Sequence, residues 1–221
     1  MRIEVPKVVI TSPDLGLWVM PQLVGDMLDP QHHDHKAFFD TGAALAHLHA
    51  ATVSAEREWT MADEADVLIR ALHDAARTRP EHAHALHEIS DKARRMLATC
   101  LPSGHALLHR DFYPDQVLMA PDRIVLLDLD LAAGGDAAID LGNFLAHLQE
   151  LALRRASDLA AYDDYAGPFL AGYASIRPLP APDAIETLRE ISLWRHLAIC
   201  QRFPDRRGYF DRLLSYAQNT A

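Results

Sequence analysis

The chain has 221 residues, 49% hydrophobic and 24% charged, with 10 Gly, 13 Pro and a formal net charge of −10. That length makes one large or two small domains, and the composition excludes disordered, collagen-like and low-complexity classes. Net negative charge argues against a nucleic-acid partner. No apolar run reaches the roughly 18 residues of a membrane span, and MRIEVPKVVI lacks the charged and apolar regions of a secretory leader. A cytoplasmic chain with neither a nucleic-acid nor a membrane partner is therefore expected. The acidity suits an amine-bearing partner or simple solubility. Cys100 and Cys200 lie in helix-like contexts with no CxxC partner, as buried small side chains do in a reducing compartment.

In chain order, Val8–Ile10 and Leu17–Met20 read as short strands around the turn Ser12-Pro13-Asp14-Leu15-Gly16. Pro21 ends the second strand, and residues 22–30 form a connector. From residue 36 to about residue 100 the apolar period is helical. One helix carries Phe38, Leu45 and Leu48 and ends near His49. A second carries Val67, Leu68 and Leu72, and a third opens at Pro80-Glu81 and carries Leu86, Ile89, Ala93, Met96 and Leu97. The spacing of His82, His84 and His87 fits a solvated helix start better than a metal site.

Residues 105–131 return to strand character. Ala106–Leu108 is a strand, His109–Asp115 a polar loop, and Val117–Met119 pairs with Ile124–Leu129 as a hairpin. Helices follow from Asp140 and around 158–174, 183–202 and 207–218, broken at Arg177–Pro182 and at Phe203-Pro204. The fold class is α+β: a short β-hairpin, then a mostly helical body with a small β-insert.

Three stretches carry the chemistry: His109-Arg110-Asp111-Phe112-Tyr113-Pro114-Asp115-Gln116, then Leu127-Asp128-Leu129-Asp130, then Gly135-Asp136-Ala137-Ala138-Ile139-Asp140-Leu141. Asp111 and Asp128 each sit where a strand gives way to a loop, and the hairpin between them can bring both carboxylates to one end of the insert. One such carboxylate can accept a hydroxyl proton while the other holds a hard cation. Mg²⁺ takes few carboxylates plus phosphate oxygens, which suits a nucleoside triphosphate such as ATP.

In these three motifs, spaced in this order, the chain resembles the aminoglycoside phosphotransferase and choline kinase family, which has the protein-kinase-like fold. The resemblance runs from Val5 to about Leu214 and is most specific at the central motifs. It implies that Asp111 is the catalytic base, with His109 shaping its loop. It implies that Asp128 binds Mg²⁺ beside the nucleotide phosphates, with Gln116 where the family has a metal-binding asparagine. Asp130 is then either a second metal ligand or an exposed acid. Asp140 is the buried aspartate that supports the loop through backbone N–H groups. Pro21, by its carbonyl, and Leu23, by its amide, would face the adenine edge.

The resemblance divides the chain into a remnant of the nucleotide lobe and hinge (residues 1–30) and a helical C-terminal lobe carrying the catalytic loop (residues 31–221). It implies that the first three strands of that lobe, its Gly-rich loop, and its strand lysine and glutamate partner are missing here. A chain so trimmed is expected to lose much of its grip on the phosphates. Its hairpin apolar groups Val8, Ile10, Trp18 and Met20 would be uncovered, inviting a second copy or a partner chain.

The expected function is transfer of the ATP γ-phosphate to a hydroxyl of a small amine-bearing or sugar-like substrate, using Mg²⁺. The alternative is a catalytically impaired, pseudokinase-like binding module. Asp158, Asp163, Asp164, Asp183, Glu186 and Glu190 either line an acidic acceptor cleft or face water on helix surfaces.

Overall fold

The computed structural model describes residues 2–53, 55–102 and 104–220, apart from the side chains of Pro204 and Asp205. Strands β1 (Arg2–Glu4), β2 (Ile10–Ser12), β3 (Leu17–Val19) and β4 (Asp26–Met27) precede helix α1 (His35–His49). Strand β5 (Glu58–Trp59) leads into α2 (Met61–Thr78) and α3 (Ala83–Thr99). The insert comprises β6 (His105–Leu108), β7 (Val117–Ala120), β8 (Arg123–Leu126) and β9 (Ala133–Asp136). Helices α4 (Ala138–Ala156), α5 (Ala166–Ala174), α6 (Pro182–Arg202) and α7 (Phe210–Asn219) complete the chain.

The β7–β8 hairpin is the centre of a four-stranded sheet, with β1 parallel to β8 and β4 antiparallel to β7. The first and fourth strands are thereby stitched onto the same hairpin that carries the loop chemistry. Strands β5, β9 and β6 form a second small sheet, and β2–β3 is a separate hairpin. That hairpin carries its apolar residues outward: Ile10 is 60% exposed and Trp18 59%.

Helix α2 begins with a full capping box, Thr60 and Asp63 each bonding the other's backbone N–H. Helix α1 crosses α5 at glycines on both sides. A Cβ at Gly42 would collide with the Phe169 carbonyl, and one at Gly172 with the Phe39 carbonyl, so the two backbones touch. The core runs from this crossing through stacked rings: Phe169 on Phe144 at 4.0 Å between centroids, and Phe144 on Phe112 at 5.4 Å. Phe112 is fully buried, which anchors the loop beside Asp111 to the helical body.

Several sequence boundaries move for local reasons. Strand β8 stops at Leu126 rather than Leu129, because Asp128 adopts a left-handed backbone (φ 54°) that no strand accommodates. The helix expected around 158–174 starts only at Ala166. Ser157 ends α4 in a left-handed conformation (φ 60°), and the Asp158 carboxylate accepts the Ala160 N–H at 2.9 Å in a local turn. The last helix starts at Phe210, after the short helical stretch Pro204–Tyr209. No helix among the described residues is long and apolar enough to cross a membrane.

Candidate active site

The loop is built from its backbone outward. After β6 the chain turns at His109 and Arg110, and Arg110 sits at φ 72°, a conformation that costs a non-glycine residue about 1–3 kcal/mol. Asp140, fully buried in the first turn of α4, holds that turn open. One carboxylate oxygen accepts the His109 N–H at 2.6 Å and the other accepts the Arg110 N–H at 2.7 Å. His49, at the end of α1, bonds Asp140 through Nε2 at 2.9 Å and the Tyr173 hydroxyl through Nδ1 at 2.9 Å. Burial would raise the Asp140 carboxyl, but the His49 bond, the nearby histidines and the His109 N–H outweigh it and hold it below the ordinary value.

The side chains of the loop extend the same scaffold. The buried His109 ring reaches the Leu127 carbonyl through Nε2 at 2.7 Å, tying the loop to the segment that carries Asp128. Asn143 donates to the Phe112 carbonyl at 3.1 Å. The Arg110 guanidinium lies 3.3 Å over the Trp59 ring centre, which fixes its strained backbone from outside.

Between these anchors Asp111 is left half-buried. Burial, then the charges of Asp128 and Asp140, raise its carboxyl above the ordinary value against the pull of Arg195 and His109. Asp128 is exposed, and its left-handed backbone turns it out of strand β8. The Gln116 side-chain nitrogen lies 3.4 Å from Asp128 Oδ2 and 3.4 Å from the Tyr113 hydroxyl. The Tyr113 hydroxyl is pushed up by burial and then by the charges of Asp111, Asp115 and Asp128.

Two clefts carry the two aspartates, one each. One, of about 490 Å³, lies between the N-terminal segment (Val5, Val8, Trp18 and Met20) and the floor Leu127-Asp128-Leu129-Asp130. The other, of about 270 Å³, runs from Asp111 and Tyr113 between α4 and α6. Asp130 is exposed and lines the first cleft beside Asp128. Pro21 and Leu23 lie just past Met20 and are not among the residues that line it.

Asp128 and Gln116 offer hard oxygen donors, provided the Gln116 amide makes a half-turn to present Oε1. No group of three His, Cys, Asp or Glu side chains suited to a metal occurs among the described residues. A two-donor set fits Mg²⁺, which uses one or two protein ligands and completes its shell with water and phosphate oxygens.

The sequence reading missed His49, Asn143 and Arg195, whose partners lie 91, 31 and 52 positions away. None of the six candidate acceptor acids lines the cleft beyond Asp111. Glu186 and Glu190 are engaged by Arg189, Asp164 faces His35 at 3.1 Å, and Asp158, Asp163 and Asp183 are exposed elsewhere.

That cleft holds two histidines with a measurable consequence. Burial, then the charges of Arg195, Arg206 and Arg154, push the His147 ring down to about 3, and His196 is held well below its ordinary value. Both stay neutral in the folded chain and protonate in the unfolded one below about pH 6.5. Stability is therefore complete above that pH and falls below it by about 1.4 kcal/mol per pH unit for each ring. Urea unfolding of wild type and His196→Leu from pH 7.5 to 4.5 should show the variant losing stability less steeply; parallel curves would refute the assignment.

The comparisons fit this geometry. A choline kinase from Cryptosporidium parvum superposes with a TM-score of 0.68 at 14% identity, over 96% of this chain and 72% of its own. An amicoumacin kinase solved with AMP-PNP and Ca²⁺ gives 0.72 at 16%, over 99% and 73%. A macrolide 2'-phosphotransferase from Brachybacterium faecium gives 0.57 at 21%, over 99% and 74%. At such identities the likeness is one of fold, the protein-kinase-like fold of these enzymes. No curated protein matches the sequence significantly. The model of the phosphotransferase enzyme family, however, matches residues 2–179, from β1 through the loop, both aspartates and Asp140 to beyond α5, and the chain belongs to that family.

Proposed function

We propose that this protein transfers the γ-phosphoryl group of ATP to a hydroxyl of a small molecule. The observation that carries the reading is the half-buried Asp111 carboxyl, raised by burial and by the nearby charge of Asp128, with Asp111 lining one cleft and Asp128 on the floor of the other. The apolar walls Val5, Val8, Trp18 and Met20 suit a purine ring, and the amicoumacin kinase of this fold was solved with an ATP analogue.

Asp111 accepts the proton of the acceptor hydroxyl as that oxygen bonds to the γ-phosphorus. The bond from the γ-phosphorus to the β–γ bridging oxygen breaks, and ADP leaves. Asp128 and Gln116 would hold Mg²⁺, which supplies charge neutralisation at the phosphates when bound. Asp140 keeps the loop in register, and Tyr113 and the His109–Leu127 bond keep Asp111 beside the phosphate end of the nucleotide cleft. An intact Asp140 scaffold beneath a desolvated Asp111 favours catalysis over a binding-only module.

Trp18 makes the first half testable. Adding Mg²⁺ and AMP-PNP should change intrinsic fluorescence saturably, and Trp18→Phe should abolish most of that change. A nucleotide at about ten times its Kd should stabilise the fold by about 1.4 kcal/mol. The second half is ATP-dependent phosphorylation of hydroxyl compounds, followed by phosphorus NMR. No nucleotide-dependent signal and no transfer to any hydroxyl compound would refute the proposal.

A further inference from the structure

The cleft beyond Asp111 receives an arginine from each wall: Arg154 from α4, Arg195 from α6 and Arg206 from the stretch before α7. Three carboxylates share the space, and they do not neutralise it evenly. Glu150 is buried and already committed. It accepts the Tyr209 hydroxyl at 2.7 Å and faces Arg154 Nε at 3.4 Å and Arg206 Nη1 at 3.9 Å, so one carboxylate answers two guanidiniums. Arg195 donates to the neutral Asn143 Oδ1 at 2.7 Å, and Glu64 stands 3.8 Å from it on the far side, already accepting the Trp59 indole N–H. Asp115 is exposed at the rim, and Asp111 is the group that must receive a proton.

The floor is polar and unfinished. His196 is fully buried, yet both its ring nitrogens lack a hydrogen-bond partner, as does His147 Nε2. The two rings meet edge to face at 4.7 Å, and Tyr113 stacks on His147 at 4.6 Å. Each neutral imidazole keeps one donor and one acceptor, and a buried polar atom without a partner is costly. Such a floor suits a polar occupant. Burial first, and then the charges of Arg195, Arg206 and Arg154, keep His147 neutral, and an occupant meets those same guanidiniums.

We infer that the hydroxyl acceptor carries an oxyanion group, a carboxylate or a phosphate ester, which docks against Arg154 and Arg206 with its hydroxyl turned toward Asp111. This rests on the kinase reading for the role of Asp111, but the anion site stands on the arginines. Guanidiniums pair bidentately with carboxylate and phosphate oxygens. A cationic amine would enter beside three guanidiniums; of the cleft's carboxylates Glu150 is already engaged, Asp115 stands at the exposed rim and Asp111 is taken up by the acceptor hydroxyl. The amine-bearing acceptor that the sequence suggests therefore fits this cleft less well than a hydroxy acid or sugar acid.

The test uses the full chain and matched probes: glycerate and gluconate, glycerol 3-phosphate and glucose 6-phosphate, glycerol and glucose, and choline and glucosamine. Binding is read by calorimetry without nucleotide, and transfer by phosphorus NMR with Mg²⁺ and ATP. At least one anionic probe should bind about tenfold or more tightly than its neutral counterpart, with the carboxylate and phosphate arms showing which oxyanion is preferred. Arg206→Gln and Arg154→Gln should each weaken that binding about tenfold, and Arg206→Lys should recover part of it. Preference for neutral or cationic probes, binding of none, or indifference to both glutamine variants would overturn the inference. Anion binding without transfer to any probe would sustain the anion site and count against the kinase reading. Transfer only to neutral or cationic probes would do the reverse.

Discussion

Asp111→Asn is expected to lower kcat by about 10²- to 10⁴-fold while nucleotide affinity changes little, because it removes the carboxylate proposed as the base. Asparagine has the volume of aspartate and leaves the Asp140 scaffold untouched, so the loss should fall on the chemical step. In wild type the half-buried carboxyl is raised above its ordinary value, first by burial and then by Asp128 and Asp140. A base must be deprotonated to act, so activity should fall as pH drops through that raised value, above the 3.8 of an ordinary aspartate. Single-turnover ADP release against pH measures both effects. A kcat within about tenfold of wild type would remove Asp111 from the role of base. Asp128→Asn should differ in kind: it removes charge at the proposed Mg²⁺ position, and higher Mg²⁺ should restore part of its lost rate.

Whether a feature could be read from the sequence depended on how far apart in the chain its partners lie. The helices α1, α2, α3 and α4 follow from apolar residues at helical spacing, which each segment shows within itself. The β7–β8 hairpin and the loop between His109 and Asp115 are equally local. By contrast β1, β4 and β5 are two or three residues long and exist only through pairing with β8, β7 and β9. No alternation can mark so short a strand. Strand β9 reads Ala-Gly-Gly-Asp, which has almost no intrinsic strand preference and is held by neighbours on both sides. The site divides in the same way. Asp111, Asp128 and Asp140 stand in compact motifs that a resemblance can align, whereas His49 looks like any polar residue at a helix end. Arg154 and Arg195 look like solvent-facing positions of their helices, and only the closeness of α4 and α6 shows that they share a cleft. Composition could not choose between the two places open to the acidic residues after Ser157, and none of the six lines the cleft beyond Asp111.

The contact between α1 and α4 at Asp140 carries the second large expectation. Asp140→Ala should destabilise the fold by about 3–5 kcal/mol and cut kcat/KM more than 100-fold, since about 1 Å of misplacement at a reacting group costs that much. Three groups lose their partner at once: the His109 amide and the His49 ring, both buried, and the part-buried Arg110 amide. Arg110 then has no reason to remain at φ 72°, and its relaxation moves Asp111, the next residue. His49→Ala removes one donor and leaves both backbone bonds, so about 1–3 kcal/mol is expected, with coupling to Asp140 in the double variant. Because the Asp140 carboxyl is held below its ordinary value, its contribution is complete above about pH 4 and disappears only as pH falls through that depressed value. An acid limb in activity above pH 4 belongs to Asp111 where the urea midpoint at the same pH is unmoved, since His147 and His196 lower stability below about pH 6.5 while Asp140 stays ionised. Urea midpoints and hydrogen exchange at the Arg110 amide separate the two residues: Asp111→Asn leaves both unchanged, and Asp140→Ala shifts both. An unchanged midpoint in Asp140→Ala would mean that the remaining anchors, Phe112, His109, Asn143 and the Arg110–Trp59 contact, hold the loop without it.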